Sequence, residues 1–326
     1  MISLCQKGEI EYSLDPRVRY SFLLKEELRL RQMRKVCRPS LIEYFQKNKI
    51  EVAIIQGNYS GFIASAIRLK VKAKLVFCDH GALMNQWAQK DIVMIRLVSA
   101  LLCHKVVALT KQSRDDYSRK FHLPTKRVEC IYNWVEPDHC CSEAYDVSSR
   151  RILSAGRFGK EKGFDLLVKA YVPVARKHPD WHLDLYGDGE MRATVRKLIQ
   201  ENGMENNIHL MGMRRDLVRR YREYAMYVLP SYREGMPLVL LEAKANRLPI
   251  ISFDIMTGPR EIVRDGLDGV LVPPYDLDKM GEAISTLIEH PEQRTAMSEH
   301  SLENLDKFSK EKILEQWIAL IESFDS

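Results

Sequence analysis

The sequence predicts an α/β protein of two domains, each built on a parallel sheet. Three observations predict it. Apolar runs of strand length alternate with segments of helical period along most of the chain, and strands that alternate with helices are joined by crossovers into parallel sheets. At 326 residues the chain exceeds a usual single core. The alternation breaks once, over residues 133–149, a polar stretch without period that reads as a linker. The expected division is a first domain over 1–146, a second over 147–308 and a closing helix over 309–326.

Taken in order, Met1–Cys5 reads as a strand. Residues 25–38 read as a basic helix with Leu28, Arg31, Lys35 and Arg38 on neighbouring turns, a pattern suited equally to a solvated face and to an anionic membrane surface. Strands follow at Val52–Ile55, Leu75–Phe77, Val106–Leu109 and Arg127–Ile131. Between them, Ile92–Cys103 is the longest apolar stretch. It is too short to span a bilayer and is interrupted by Arg96, so a buried helix is expected. Beyond the linker come a short strand at Ile152–Leu153, a basic glycine-bearing loop and a helix from about Phe164. Further strands fall at His182–Tyr186, Ile208–Leu210, Tyr227–Leu229, Ile250–Phe253 and Val270–Val272, and Ser309–Phe324 has amphipathic period.

Charge is uneven. Residues 1–147 hold 24 Lys and Arg against 16 Asp and Glu, a net +8, whereas 148–326 hold 26 against 28, a net −2. A basic first half suits anionic partners. Nucleic acid is disfavoured, because no recognition motif or aromatic-basic platform accompanies the charge. The seven cysteines, at 5, 37, 78, 103, 130, 140 and 141, include no Cys-x-x-Cys pair and no grouping with histidine that suggests a metal; reduced, mostly buried thiols are expected. With no leader pattern read at the start, the expected location is cytoplasmic, with possible peripheral contact at the inner face of the cell membrane.

The stretch richest in chemistry is Pro230–Asn246, where a polar loop turns into an apolar helix. Pro237 suits a first helical position, so the helix is expected to open at about Met236 or Pro237. Its free N–H groups would then face Glu234 and Gly235, an arrangement that favours an approaching diphosphate. Glu242 lies one to two turns inside. Upstream, Arg157 and Lys162 share the loop before the Phe164 helix, and fixed cations there would neutralise a diphosphate leaving group. Two other motifs compete. Asp276-Leu-Asp278 has the form of a divalent-metal pair but reads better as a helix cap. Gly187-Asp-Gly189 follows a strand, but Arg192 stands where a dinucleotide fingerprint needs a small residue.

Taken together, Ala155-Gly-Arg157, Lys162-Gly163, Glu234-Gly235-x-Pro237 and Leu241-Glu242-Ala243 resemble the retaining glycosyltransferases of family 4. Residues 151–275 carry the resemblance almost without a gap, including Leu185–Glu190, Ile208–Gly212 and Thr257–Val272. It implies the GT-B fold, two Rossmann-like domains with parallel sheets facing a central cleft, and transfer of a hexose or N-acetylhexosamine from a nucleoside diphosphate sugar, expected to be UDP-linked, to a glycan or polyprenyl-diphosphate-linked acceptor. It also implies that neither a metal nor a cofactor is required.

By the same resemblance, Glu242 binds the ribose hydroxyls and Glu234 the donor sugar. Arg157 and Lys162 take the diphosphate with the backbone of Gly235, Met236, Pro237 and Leu238, and the base, uracil or guanine, lies near Gly212, Met213 and Arg214. His80, after the Leu75 strand, positions the sugar, with Asn58, Tyr59 and Asn133 as weaker neighbours. Two departures stand out. The family's opening strand and glycine-rich turn have no counterpart, on the order of 30 residues for a strand–helix unit, and Met1–Cys5 resembles the second strand. This leaves a non-catalytic sugar-nucleotide-binding subunit, or a defective fragment of such an enzyme, as the alternative reading. Arg247 stands where glycine is usual, with Asn246 expected to supply the left-handed cap.

Overall fold

The computed structural model describes residues 1–5, 14–136 and 145–324. Residues 137–144 of the expected linker, with Cys140 and Cys141, lie outside the described residues. The chain divides into two compact units, Met1–Ile131 with Leu320–Ser326, and Tyr132–Ala319.

In the first unit, β1 (Ile2–Cys5) pairs in parallel with β2 (Ser21–Leu24), a strand the sequence did not signal. A separate parallel sheet runs in the order β3 (Val52–Gln56), β4 (Lys74–Asp79), β5 (Lys105–Ala108), β6 (Val128–Cys130). The helices α1 (Leu30–Lys47), α2 (Asn58–Ala64), α3 (Lys90–Leu102) and α4 (Lys111–Phe121) connect these strands. Helix α1 begins after Leu28, with Arg29 as its cap, so Leu28 is not on it. Met33, Cys37 and Leu41, spaced by four, turn into the core, which leaves Arg31, Lys35 and Arg38 exposed. Helix α3 buries one face through Ile92, Ile95, Ser99 and Ala100, while Met94 and Leu101 stay exposed; it is amphipathic rather than wholly buried. Arg96 does not break it, because the guanidinium is neutralised within the core.

The second unit holds one six-stranded parallel sheet in the order β12 (Gly269–Val272), β11 (Ile250–Phe253), β10 (Met226–Leu229), β7 (Arg151–Ala155), β8 (His182–Tyr186), β9 (Ile208–Gly212). Strands buried on both faces read as near-continuous apolar runs, as Met226–Leu229 does and as Ile250–Phe253 does apart from the buried Ser252. The helices are α5 (Phe164–Lys177), α6 (Arg192–Glu201), α7 (Leu217–Arg220), α8 (Leu238–Ala245), α9 (Pro259–Ile262), α10 (Leu277–Glu289), α11 (Pro291–His300) and α12 (Lys310–Glu322), whose residues from Leu320 on fall in the first unit. A core of Leu167, Tyr171, Leu183, Val228, Ile251 and Ile284 is continuous beneath the sheet. Asp276 caps α10, its carboxylate accepting from the Lys279 N–H at 2.9 Å.

Two local expectations are corrected. Helix α8 begins at Leu238, not at Met236 or Pro237. Pro237 has helical φ but an extended ψ of 105°, and its carbonyl accepts the first-turn N–H of Leu240, which makes it the flanking cap. At the other end Asn246 is not left-handed (φ −98°); Arg247 is, at φ +59°. The N–H groups of Arg247 and Leu248 close back onto the carbonyls of Lys244 and Ala243, and this closure needs the left-handed residue one position later than expected.

Candidate active site

The sheet order of the second unit determines where its polar loops gather. From β7 the chain steps outward through β8 and β9, then returns to lay β10 on the opposite side of β7 and continues through β11 to β12. Connections diverge at such a switch point, and ligands sit in the crevice beyond the carboxyl ends of the two strands. The loop leaving β7 carries Arg157 and Lys162; the loop leaving β10 carries Ser231 and Glu234.

The two loops touch through backbone. Gly163 has φ +65°, and a Cβ there would lie 2.1 Å from the Pro230 carbonyl oxygen, so only glycine permits the approach. Beside it the Tyr232 N–H donates to the Glu161 carbonyl at 2.9 Å. This contact brings Lys162 Nζ to 2.7 Å from Glu234 Oε1, which also accepts from Ser231 Oγ at 2.7 Å. The Thr257 hydroxyl donates to the Glu234 carbonyl at 2.6 Å and anchors the residue from the β11 side. Glu234 is only 9% exposed, so its carboxylate is fixed by charge-assisted bonds. Arg157 turns to a different carboxylate, Glu161 Oε1 at 2.5 Å, and is largely exposed. Burial would raise the Glu161 pKa, but its own N–H and the Arg157 guanidinium outweigh burial and hold it below the usual range.

From this loop the chain passes Gly235, Met236 and Pro237 into α8. Glu242, fifth in α8, is half-buried, and its Oε2 accepts from the Tyr221 hydroxyl at 3.0 Å. At the carboxyl end of β9, Gly212 is left-handed at φ +73° and accepts the Gly187 N–H at 2.9 Å. Met213 is 80% exposed, and Arg214 is paired with Asp216.

His80 belongs to the first unit, where it follows β4, exposed, with Nε2 against Gln56 Oε1. Desolvation lowers its pKa and Asp79 opposes the shift, so the ring is neutral at pH 7. Asp79 itself is fully buried. It pairs with Arg96 at 2.9 Å, accepts from the Tyr117 hydroxyl at 2.8 Å and accepts from the Gly81 N–H at 3.0 Å, which fixes the turn that carries His80. Asn58 accepts from Arg96 Nε at 3.2 Å and is thus part of that support, while Tyr59 is exposed. Asn133 belongs to the second unit, its N–H directed at Met236 Sδ.

Comparison with known proteins gives this arrangement a family. The model for glycosyltransferase family 4 matches residues 4–139, and that for glycosyl transferases group 1 matches residues 142–303. The chain belongs to the family 4 glycosyltransferases. It is 29% identical over 226 residues to an uncharacterized glycosyltransferase of Haemophilus influenzae, covering 69% of this chain and 63% of that protein. It is also 29% identical over 254 residues to the amylovoran biosynthesis glycosyltransferase of Erwinia amylovora, covering 76% and 70%. The chain thus spans less than two thirds of the Haemophilus relative. Its fold is similar to that of the Anabaena HepE protein, solved in complex with UDP, with a TM-score of 0.80 at 16% identity over 93% of this chain and 86% of that one. The architecture is that of the GT-B glycosyltransferases.

Set among family 4 chains, this one has site residues that the sequence did not disclose. Ser231 and Thr257 lie inside recognisable blocks, but nothing in the blocks says that they fasten Glu234. Glu161 reads as one charge in a mixed run until it is seen to hold Arg157. Tyr221 lies 21 residues before Glu242, too far for a helical or strand period to link the two. The common cause is that each contact crosses between elements, where periodicity carries no information.

Proposed function

We propose that this chain is a retaining glycosyltransferase that moves a hexose or N-acetylhexosamine from a UDP-sugar to a glycan or lipid-linked oligosaccharide acceptor. The observation that carries the reading is the pairing of Lys162 with Glu234 at the switch point, directly ahead of α8, with Glu242 farther along the same helix. In this reading residues 147–308 bind the nucleotide sugar, 1–146 serve the acceptor side and 309–326 fasten the two. The diphosphate lies against Lys162, Arg157 and the backbone from Gly235 to Leu238, with N–H donors from Gly235, Met236 and Leu238, the base near Gly212 to Arg214, and the ribose diol on Glu242. Glu234 orients the donor sugar, and His80 positions it from the first unit.

The chemistry follows from charge. As the bond from the anomeric carbon to the diphosphate oxygen breaks, negative charge grows on the phosphate, and Lys162 and Arg157 stabilise it in place of a metal. The departing phosphate oxygen takes the proton of the acceptor hydroxyl, whose oxygen bonds to the same face of the anomeric carbon, so configuration is retained. Lys162 and Arg157 each rest on a carboxylate, Glu234 and Glu161, so donor binding replaces those partners with phosphate oxygens. Support for the nucleotide and the pathway comes from the UDP complex of HepE and from the amylovoran biosynthesis relative. Among the described residues no helix is long and apolar enough to cross a membrane. A lipid-linked acceptor would be reached by peripheral contact, for which α1 presents Arg31, Lys35 and Arg38.

The test is calorimetric titration of UDP and GDP with EDTA present, into the folded wild type and Glu242→Ala. Micromolar UDP binding that the variant loses is the expected result; a folded wild type that binds neither nucleotide overturns the reading. A donor and acceptor screen then separates transfer from binding alone.

A further inference from the structure

We infer that Tyr221 is a positioning residue for nucleotide recognition: its buried hydroxyl orients Glu242 so that the carboxylate discriminates ribose from deoxyribose. This rests on the proposed ribose contact of Glu242.

Tyr221 follows α7 and is completely buried. Its hydroxyl donates to Glu242 Oε2 at 3.0 Å. Burial pushes the phenol well above its ordinary pKa, and the neighbouring Tyr227 and Glu242 add to the shift, so the proton stays on oxygen and the group remains a donor at working pH. The ring is itself fixed. It meets Tyr227 edge-on, centroids 5.9 Å apart at 81°, and the Tyr227 hydroxyl is clamped at the end of β7, donating to the Ala155 carbonyl at 2.9 Å and accepting from the Ala155 N–H at 3.1 Å.

A glutamate side chain has three rotatable bonds and loses rotamer freedom when it is held in one conformation. A donor on one oxygen favours that rotamer before ligand arrives, so the carboxylate meets the ribose hydroxyls already oriented. Preorganisation of this kind acts on affinity and selectivity for the group that the carboxylate meets, and leaves contacts to base and phosphate unchanged. The line of support runs from the end of β7 through Tyr227 and Tyr221 to Glu242, so the carboxylate is registered to the strand whose loop carries Lys162.

The experiment compares UDP with 2′-deoxy-UDP by calorimetry on the full chain. Wild type is expected to bind UDP about tenfold or more tighter, as for a hydrogen bond to a charged group. In Tyr221→Phe, which keeps the ring volume, the ratio is expected to fall to about threefold or less, with 2′-deoxy-UDP bound as in wild type. Tyr227→Phe keeps the ring that packs against Tyr221 and the Tyr221 bond to Glu242 while losing the clamp on Ala155, and is expected to lower the ratio less than Tyr221→Phe does. Replacing Tyr221 with 4-aminophenylalanine, which restores an N–H donor on the same ring, is expected to recover most of it. An undiminished ratio in Tyr221→Phe, or no recovery with the amino analogue, overturns the inference. If Glu242→Ala itself keeps the full ratio, the ribose contact fails instead; a ratio lost in Glu242→Ala but kept in Tyr221→Phe leaves that contact standing and removes only the role of Tyr221.

Discussion

The two units place a polar group at the end of a parallel strand in different ways. In the second unit, one six-stranded sheet over a continuous core brings β7 and β10 side by side, and Lys162 and Glu234 meet because the strands beneath them are neighbours. In the first unit, the strands fall into a two-stranded and a four-stranded sheet, and the turn bearing His80 is held by the buried Asp79–Arg96 pair with Tyr117. A site at a switch point inherits its geometry from sheet register, which many residues share. A site held by one desolvated ion pair depends on two side chains, and removing either strands the other.

The sharpest way to break this comparison is Asp79→Ala. With Arg96 left as an uncompensated buried charge, the first unit is expected to lose about 3–5 kcal/mol, read by hydrogen exchange resolved along the chain, while UDP binding to the second unit is unchanged. Equal loss of protection in both units would show that they do not differ as argued. Gly163→Ala attacks the switch point instead. A Cβ against the Pro230 carbonyl in a left-handed residue is expected to cost about 1–3 kcal/mol and to weaken UDP binding, because the Lys162 loop must retreat. Thermal melts and calorimetry check the two effects.

A smaller effect sharpens the picture within the second unit. Arg247 is left-handed at φ +59°, where an L side chain is strained by roughly 1–2 kcal/mol, and glycine repays part of that in unfolded-state entropy. Arg247→Gly is expected to raise stability by about 0.5–1 kcal/mol in urea unfolding, with UDP affinity unaltered.

A pH dependence arises from one histidine of the first unit. The His104 ring accepts the Leu75 N–H through Nδ1 at 2.9 Å, and burial, followed by the nearby Arg68, Lys74 and Arg127, lowers its pKa to about 4. The ring is then neutral in the folded state while the unfolded chain takes up a proton below about 6.5. Stability is full above that pH and falls between about 6.5 and 4. Urea unfolding of wild type and His104→Gln at pH 7 and pH 5 checks it, with the smaller pH difference expected in the variant.

Much of this is legible in the sequence. Tyr227–Leu229 and Ile250–Phe253 read as strands because apolar, β-rich runs between turn residues have few other fates. Asp276 read as a cap, and it caps α10. The Glu234-Gly235-x-Pro237 block announced a loop entering a helix, although the helix starts at Leu238, since the ψ of a capping proline is not visible in a sequence. β2 was missed because four residues, Ser21–Leu24, give too short a period-2 signal.

What the sequence by itself determined is the alternation of strands and helices, the family to which its motifs belong and the residue types at the site, because periodicity, propensity and spacing are local properties. Tertiary structure alone decided that Lys162 rests on Glu234, that Arg157 rests on Glu161, that Asp79 neutralises Arg96 and that Tyr221 reaches Glu242. Those pairings are set by strand order and by the burial of charge, and both depend on residues far apart in the chain.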